Sequence, residues 1–328
     1  MFFLVKRGSN NNMGLRKKLK QYGFSQTFKT YFRSGILFYA FLVFLIVKKD
    51  KKGLEQFRDI LNNKLYSKLY KKNKKFILKT KKTEFDMHQG IPKIIWFCWF
   101  QGIDAAPALV KKCFNLLQKN LTDYKINIIT SDNFTNFSNI SDYIIEKWKK
   151  GIISNTHFSD ILRNNLLLKN GGYWIDSTVF VSSDIPTVIQ NSSFFLFQTY
   201  KPGCDGKRIT ISSWFIGSVK DNPVLELTQE LLFNYWKKTN YLLDYFLYHN
   251  YLQMSLNYYG DILNDIPKYT NETTHFLLFE LQKCYREDVF KDVCGQTFAH
   301  KLTYKLPESF DKEAKESFYY YFVNEYKG

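Results

Sequence analysis

Residues 159–181 read Ser-Asp-Ile-Leu-Arg-Asn-Asn-Leu-Leu-Leu-Lys-Asn-Gly-Gly-Tyr-Trp-Ile-Asp-Ser-Thr-Val-Phe-Val and contain the clearest structural signal in the chain. The first half has apolar residues at helical spacing and stops at Gly171-Gly172, which tolerate the left-handed backbone of a helix end. The second half, residues 173–181, is rich in β-branched and aromatic residues and predicts a strand. A helix followed at once by a strand indicates an α/β sheet.

The same stretch contains charged residues at informative positions. Asp160 and Arg163 are three residues apart, so they share one helix face. Asp176 lies inside the predicted strand, where an ionised carboxylate is costly unless it is paired or bound to a metal. A strand end open to a cation and to sugar hydroxyls meets that need, as nucleotide-sugar transfer requires. The alternative is a surface helix pair of Asp160 with Arg163 and an unrelated Asp176 at a strand edge.

The preceding residues extend the α/β pattern. Residues 93–100 predict a buried strand, residues 105–119 a helix, residues 124–130 a second strand and residues 140–149 a short helix. Ligands of open α/β sheets bind at the carboxyl ends of strands. The candidate nucleotide contacts are therefore those that follow Ile95, namely Trp96, Phe97, Cys98, Trp99, Gln101 and Gly102. Core packing is the alternative for the two tryptophans.

Taken together, these residues resemble the capsular polysaccharide synthesis family of bacterial glycosyltransferases. That family is similar to a wider clan of sugar transferases with a DxD motif, which includes yeast outer-chain mannosyltransferases and clostridial glucosylating toxins. The resemblance covers roughly residues 90–305 and depends on residues 91–95 with Trp99, on Ser159-Asp160-x-x-Arg163, and on residues 171–176. It implies a glycosyltransferase-A-type fold, a Rossmann-like mixed α/β sheet flanked by helices.

The resemblance also implies a site for a UDP-sugar donor with Mn²⁺ or Mg²⁺. Trp99 would lie near uracil, Asp160 and Arg163 would hold the donor sugar and ribose, and Asp176 would be the first carboxylate of the DxD motif. The other donor contacts expected on this basis are Trp96, Gln101, Gly102, Trp174, Ile175, Ser177, Lys301 and Lys305.

Thr178 departs from the wider clan, which has the second Asp at this position. A hydroxyl is a poorer metal ligand than a carboxylate, although the capsular subfamily resembles this chain in having an Asp-x-Thr form. Related transferases place a late His on the metal and a following Lys on the diphosphate. By resemblance we expect Asp176, Thr178 and His300 to hold the metal, since a neutral imidazole suits Mn²⁺. An ordinary surface position is the alternative for His300.

The distal half predicts further α/β elements. Residues 210–218 predict a strand, in which Ser213 and Trp214 are weaker candidates for donor or acceptor contacts. Asn222-Pro223 predicts the start of a helix that runs to about residue 238.

A further apolar helix is predicted to begin at Asp244. This residue is a candidate catalytic group facing the acceptor hydroxyl or the reacting sugar, and a helix cap is the alternative. The predicted domains are a basic helical region of residues 1–88, a catalytic domain of residues 89–310 and a C-terminal helix of residues 311–328.

The net charge of +17 is confined to the N-terminal region of this 328-residue chain. Residues 1–90 contain 22 Lys and Arg against 5 Asp and Glu, and the remaining residues are balanced. Such a segment favours nucleic acid or anionic lipid. Because the apolar run at residues 36–47 serves no purpose in nucleic-acid binding, we expect an anionic membrane surface and no nucleic acid as the partner.

The run at residues 36–47 is short for a membrane span, which needs about 20 apolar residues. Basic residues on both sides also oppose a span. An interfacial helix is therefore expected, with a true span or a helix packed on the domain as alternatives. Residues 54–78 predict a second helix.

Five scattered cysteines without a Cys-x-x-Cys motif argue against a disulfide scaffold or a zinc site and favour a reducing cytoplasm. No secretory signal is evident. The expected function is transfer of a hexose, galactose or glucose, from a UDP-sugar to a lipid-linked oligosaccharide at the inner face of a bacterial membrane. Retention of configuration is implied only by the resemblance. The alternatives are a non-catalytic, membrane-associated sugar-binding protein and a nucleic-acid-binding protein.

Overall fold

The computed structural model describes residues 30–200 and 208–328. They fall into two compact units divided between Leu69 and Tyr70. The division lies earlier in the chain than the boundary expected at residue 88. It falls inside one long helix, Lys51–Lys79. The basic residues before Thr30 that contribute to the expected membrane-docking region lie outside the described residues.

The strands of the structure alternate with helices through most of the chain. The strands are β1 (Ile94–Cys98), β2 (Lys125–Ile129), β3 (Gly172–Ile175), β4 (Val179–Val181), β5 (Phe194–Gln198), β6 (Ile211–Ser218) and β7 (Ala299–Lys301). The helices are α1 (Leu37–Ile46), α2 (Lys51–Lys79), α3 (Ala108–Asn120), α4 (Asp142–Lys149), α5 (Asn155–Asn170), α6 (Thr187–Gln190), α7 (Pro223–Lys238), α8 (Leu247–Tyr258), α9 (Gly260–Asp265), α10 (Phe276–Glu280), α11 (Glu287–Gly295) and α12 (Phe318–Tyr320).

The N-terminal unit contains α1 and the first part of α2. Its small core consists of Ile36, Ala40, Leu61 and Leu65. Both helices were predicted from the sequence and are confirmed. Helix α1 exposes large apolar side chains, namely Phe38, Phe41, Leu42, Phe44, Leu45 and Ile46. Within residues 30–200 and 208–328, no helix has the length and apolar character that a membrane span requires.

The larger unit is built on a five-stranded sheet with the order β2-β1-β3-β6-β5. Strand β1 pairs in parallel with β2 and β3, whereas β6 runs antiparallel to both β3 and β5. The expected mixed α/β sheet flanked by helices is thus confirmed. Because β1 and β3 are parallel, their carboxyl ends lie at the same edge of the sheet.

The single strand predicted over residues 173–181 is wrong, because the chain changes sheets in the middle of it. Strand β3 ends at Ile175, and β4 pairs with β7 in a separate two-stranded sheet. A turn joins the two strands, in which the Val179 N–H donates to the Asp176 carbonyl at 2.9 Å. Asp176 therefore lies at a strand end rather than inside a strand.

The helix stop predicted at Gly171-Gly172 is confirmed and has a steric cause. Both glycines have positive φ angles, 68° and 96°. A Cβ atom at Gly172 would lie 2.4 Å from the Ile94 carbonyl oxygen. The start of β3, directly after α5, thus lies closer to β1 than a side chain at Gly172 would allow.

The C-terminal helix predicted over residues 311–328 is wrong in extent. Only α12 and a π-helical turn, Tyr321–Glu325, are helical there. Phe318, Tyr319 and Phe322 are buried in a core cluster with Phe180. Packing of these aromatic rings determines the path of the segment, which belongs to the larger unit.

The helix predicted from Asn222-Pro223 is confirmed as α7. Asn222 is its N-cap, and the Asn222 side chain accepts a hydrogen bond from the Val224 N–H.

Candidate active site

Helix α5 presents His157, Asp160 and Arg163 at intervals of three residues on one face. Asp160 is 8% and Arg163 4% exposed. The two side chains form an ion pair, with 2.9 Å between Arg163 Nη1 and Asp160 Oδ1. The shared face is therefore confirmed, and the alternative of a surface pair is wrong.

The guanidinium group of Arg163 connects three elements. Nη1 donates to Asp160 Oδ1 at 2.9 Å and to Ser213 Oγ on β6 at 2.8 Å, and Nη2 donates to Asp176 Oδ1 at 2.8 Å. The guanidinium carbon lies 4.8 Å from the ring centroid of Trp174. Burial alone would lower the pKa of Arg163, but the charges of Asp176 and Asp160 outweigh it and raise the pKa. Arg163 is thus a fixed cation between two carboxylates.

Asp176 is partly open, with 25% of its side chain exposed. Besides Arg163, its Oδ1 accepts a hydrogen bond from Trp174 Nε1 at 2.8 Å. Its Oδ2 accepts from Lys301 Nζ at 2.6 Å. Burial alone would raise the pKa of Asp176, but the charges of Lys301 and Arg163 and the hydrogen bonds outweigh it and lower the pKa. The residue is an ionised carboxylate at a strand end.

Lys301 also contacts Thr178, to whose Oγ1 its Nζ donates at 3.0 Å. The pairing of β4 with β7 places Val179 opposite Lys301, and the Leu302 N–H donates to the Thr178 carbonyl at 2.9 Å. Thr178 is 9% exposed, and the Lys301 side chain is 21% exposed. A residue expected on the metal and a residue expected on the diphosphate therefore contact each other directly. We call Asp160, Arg163, Asp176, Ser213 and Lys301 the Arg163 cluster.

His300 does not lie where the metal-ligand expectation requires. It is fully buried, its ring stacks on Phe180 with 5.3 Å between centroids, and its Nε2 is 3.1 Å from Ser182 Oγ. Successive side chains of a strand point to opposite faces. Because the Lys301 side chain points toward Asp176, the side chain of His300 points into the core. Burial lowers the pKa of His300 to about 4. The structure does not support His300 as a metal ligand, and its alternative as a surface residue is wrong.

His249 on α8 adjoins the cluster and was not singled out from the sequence. Its Nε2 lies 2.9 Å from Ser213 Oγ, which already accepts a hydrogen bond from Arg163. Burial lowers the pKa of His249 to about 4, so the ring is neutral and its Nε2 accepts a hydrogen bond from the Ser213 hydroxyl. Nothing in the spacing along the chain relates His249 to Arg163. Only the pairing of β3 with β6 brings Ser213 to the site.

Five of the expected nucleotide contacts are core residues, namely Trp96, Phe97, Cys98, Trp174 and Ile175. Trp96 is 2% exposed, and its Nε1 donates to the Gly171 carbonyl at 2.8 Å. Trp174 is 1% exposed, with its Nε1 committed to Asp176, and Ile175 is fully buried. The expectation that these side chains contact the nucleotide is therefore wrong. Trp174 instead supports Asp176 and Arg163.

Trp99 remains at the sheet edge where a ligand is expected. It is half-buried and packs edge-on against Tyr304, with 5.7 Å between ring centroids. Its Nε1 has no hydrogen-bond partner among the described residues. Burial raises the pKa of the neighbouring Cys98 to about 12, and the charges of Arg163 and Asp176 also act on this thiol. The end of β1 therefore lies near the Arg163 cluster.

The remaining expected donor contacts lie in loops. Gln101 is exposed, and Gly102 precedes a short 3₁₀ turn, Ile103–Ala105. Ser177 is half-buried in the turn between β3 and β4. Lys305 is exposed, with its Nζ 5.6 Å from the Tyr304 ring centroid. Of these residues, Ser177 is next to the cluster because it directly follows Asp176 in the sequence.

Asp244 is 9% exposed and uses both carboxylate oxygens inside the protein. Oδ1 accepts from the Phe246 N–H at 3.2 Å, and Oδ2 accepts from Asn250 Nδ2 at 2.9 Å. Burial raises the pKa of Asp244. The helix that was predicted to begin here begins at Leu247, and Asp244 holds the turn before it. The helix N-cap is Phe246, so Asp244 is not the cap that the alternative expected, and both of its oxygens are used in the turn and by Asn250.

The residues present do not fit a divalent cation. Across the described ranges 30–200 and 208–328, no three His, Cys, Asp or Glu side chains are grouped to bind a metal ion. The oxygens of Asp176 are taken by Arg163, Trp174 and Lys301.

Comparisons with known proteins identify the family of this chain. No curated protein matches the chain. A solved structure, "PaToxG Glycosyltransferase", is similar at 16% identity over 63% of this chain and 83% of its own, with a TM-score of 0.37. The family model described as "Capsular polysaccharide synthesis protein" matches residues 43–322, which is most of the chain. The chain therefore belongs to the capsular polysaccharide synthesis protein family.

Proposed function

We propose that the protein is a glycosyltransferase of the glycosyltransferase-A type that moves a hexose, galactose or glucose, from a UDP-sugar to a lipid-linked oligosaccharide. The observation that carries the proposal is the Arg163 cluster, where two cations and two carboxylates meet beside the carboxyl ends of β1 and β3. Ligands of α/β sheets bind at such an edge. Membership in a polysaccharide synthesis family supports a sugar as the group transferred.

The cluster provides the groups that donor binding needs. Lys301 and Arg163 supply positive charge for a diphosphate, and the exposed part of Asp176 supplies an acceptor for sugar hydroxyls. Trp99 offers a ring face and an unpaired N–H at the end of β1 for the uracil base. The divalent cation expected from the resemblance forms no part of the proposal, because the side chains do not fit it.

The proposed transfer retains the configuration at the sugar carbon. The bond between C1 and the β-phosphate oxygen breaks, and the acceptor oxygen bonds to C1 from the same face. The acceptor proton passes to the leaving diphosphate, so no protein nucleophile is required. Positive charge from Lys301 and Arg163 stabilises the diphosphate as it leaves.

We propose a peripheral position at the inner face of the cell membrane, with α1 as the docking element. Four side chains of α1, those of Phe38, Phe41, Leu45 and Ile46, are between 57% and 83% exposed. Lys49 lies over the Phe44 ring at 3.6 Å, so a cation borders the apolar surface. An apolar helix face with lysines at its border suits the interface of an anionic bilayer.

The activity test uses the full-length protein with radiolabelled UDP-galactose, UDP-glucose and GDP-mannose. We expect sugar release or transfer with a UDP donor, and its loss in Arg163→Lys, because the single ammonium nitrogen of a lysine cannot replace the two separated, planar nitrogens with which Arg163 reaches its three acceptors. Lys220→Ala is the matched control, since Lys220 is an exposed cation just beyond the opposite end of β6. Nucleotide binding without turnover would favour a non-catalytic sugar-binding protein instead.

The membrane test is cosedimentation with vesicles of phosphatidylglycerol and phosphatidylcholine. Substituting Phe41→Glu and Leu45→Glu together is expected to abolish sedimentation. Val188→Glu, which alters an apolar side chain that is 57% exposed in the larger unit, is expected to have no effect. Equal sedimentation of all three proteins would contradict docking through α1, and binding of DNA in competition would favour the nucleic-acid alternative.

A further inference from the structure

Lys301 occupies a distinctive position in the proposed donor site. Its Nζ lies 2.6 Å from Asp176 Oδ2 and 3.0 Å from Thr178 Oγ1. These two side chains stand two residues apart in the turn after β3, which is the spacing of the DxD motif. The ammonium group is therefore bound by both positions that would otherwise be expected to bind a metal ion.

The electrostatic charges balance in the same way with either cation. Two carboxylates and one divalent cation sum to zero. One carboxylate, one neutral hydroxyl and one ammonium group also sum to zero, and Asp176, Thr178 and Lys301 are that set. The change from Asp to Thr at position 178 thus matches a change from a divalent to a monovalent cation. A hydroxyl also avoids a second buried negative charge, which a single ammonium could not neutralise.

Strand pairing fixes the lysine in this position. Lys301 lies opposite Val179 in the β4–β7 ladder, and Thr178 accepts the backbone hydrogen bond of Leu302. Only 21% of the Lys301 side chain is exposed. An ammonium group has three N–H donors, and the described residues account for two of them. The third donor is free to bind a diphosphate oxygen.

The other side chains offer little to a competing metal. Asp176 Oδ1 accepts two hydrogen bonds, from Arg163 and Trp174. His300, the residue next to Lys301, is buried against Phe180 and Ser182. A divalent cation would have to displace the ammonium group, and the second position of the motif would then offer it a hydroxyl in place of a carboxylate.

We propose that the Lys301 ammonium group takes the place of the divalent cation, so that this site binds the diphosphate of a UDP-sugar without a metal. The inference rests on the proposed function, because it concerns the same donor site. It predicts that the protein binds UDP equally well with EDTA and with Mn²⁺.

The test is calorimetric titration of UDP into the full-length wild-type protein, once with EDTA and once with MnCl₂. The dissociation constant is expected to differ by less than about twofold. Paramagnetic resonance of Mn²⁺ is expected to show no bound ion with or without UDP. UDP binding that requires Mn²⁺, or a bound Mn²⁺ signal in the UDP complex, would overturn the inference while leaving the proposed function standing.

Variants sharpen the test. Lys301→Met keeps the aliphatic stem and is expected to weaken UDP binding at least about tenfold in EDTA, with Lys220→Ala unchanged. Combining Lys301→Ala with Thr178→Asp is expected to restore binding only when Mn²⁺ is present. Undiminished UDP binding by Lys301→Met would overturn the inference. Absence of UDP and UDP-sugar binding by wild-type protein in both conditions would overturn the proposed function and the inference together. Melting temperatures confirm that each variant is folded.

Discussion

Helix α5 holds two buried polar groups of different chemistry. One is the Arg163 cluster, in which every member except Ser213 is charged and the Asp176 side chain is 25% exposed. The other consists of Asn164 and Asn165, which are neutral and at most 1% exposed. Asn165 bonds to Asn139 and Gln229, and Asn164 donates to the Leu225 carbonyl, so the amides connect α5 with α7 and with the loop before α4.

The difference separates a structural from a functional use of buried polarity. The Asn165 amide has a partner for its oxygen and two for its nitrogen, and in this pair the unpartnered atom among the described residues is an acceptor, Asn164 Oδ1, rather than a donor. The charged cluster contains two unpaired donors. Arg163 Nε and one N–H of Lys301 have no hydrogen-bond partner among the described residues. Buried donors without a protein partner are expected at a site where a bound ligand supplies the missing acceptors.

The largest expected effect comes from removing the central cation. Arg163→Met leaves Asp160 and Asp176 without their shared partner, and breaking such a buried pair costs about 3–5 kcal/mol in free energy of unfolding. Urea unfolding followed by circular dichroism measures this loss. The double variant Arg163→Met with Asp160→Asn removes one uncompensated charge and is expected to recover part of it. A loss no larger than that of Asn165→Ala would contradict the distinction between the two groups.

The next largest effect of a single residue is expected from acid, which acts through His249 and His300. Burial holds the pKa of each imidazole at about 4, below the ordinary value of 6.5. Between these two pH values the unfolded chain therefore binds more protons than the folded chain. The stability contributed by the two neutral rings is fully present above pH 6.5 and is lost as the pH falls toward 4. Each histidine contributes on the order of 3 kcal/mol to that loss. His300→Asn is expected to flatten the dependence of unfolding free energy on pH, and an unchanged slope would refute the assignment.

Asn165→Ala is expected to lower the free energy of unfolding by about 1–3 kcal/mol, because it leaves the Asn139 N–H without its acceptor. Its UDP affinity should equal that of the wild type, because the amides do not belong to the donor site. Chemical unfolding and UDP calorimetry on the same preparation measure both quantities. A tenfold loss of UDP affinity would show that the amide group acts in the site.

The smallest expected effect concerns Trp99. Trp99→Phe keeps an aromatic ring against Tyr304 but removes the unpaired Nε1 donor. UDP affinity is expected to fall by a few-fold, about 1 kcal/mol, if this N–H binds the uracil base, while the melting temperature stays constant. Trp96→Phe is the contrasting variant, because its Nε1 bonds to Gly171. It is expected to lower stability and leave UDP affinity unchanged.

The sequence predicted those parts of the molecule that depend on local patterns. The spacing of Asp160 and Arg163, the stop at Gly171-Gly172 and the cost of burying Asp176 are all readable from neighbouring residues. They led to the α/β sheet and to three members of the cluster. Asp244 shows the limit of such reasoning, because a carboxylate before a helix has the same local pattern whether it caps the turn or faces a substrate.

The contacts that local patterns could not predict depend on pairing between distant strands. A register shift of one residue in β7 would exchange Lys301 and His300 between the site and the core, and no local pattern distinguishes the two registers. Ser213 and His249 likewise reach Arg163 only through the packing of β6 and α8. The break after Ile175 was hidden, because both sides of the turn have high strand propensity.

The pairing of β4 with β7 also determines at which stage of synthesis the donor site can form. Asp176 and Lys301 are 125 residues apart in the chain. During synthesis from the amino terminus, most of the sheet emerges from the ribosome well before the residue that neutralises Asp176. Until then, Arg163 is the one cationic partner of this carboxylate among the described residues. A chain that stops short of β7 therefore contains most of the scaffold but lacks the second charge, so the donor site is complete only after β7 has been synthesised.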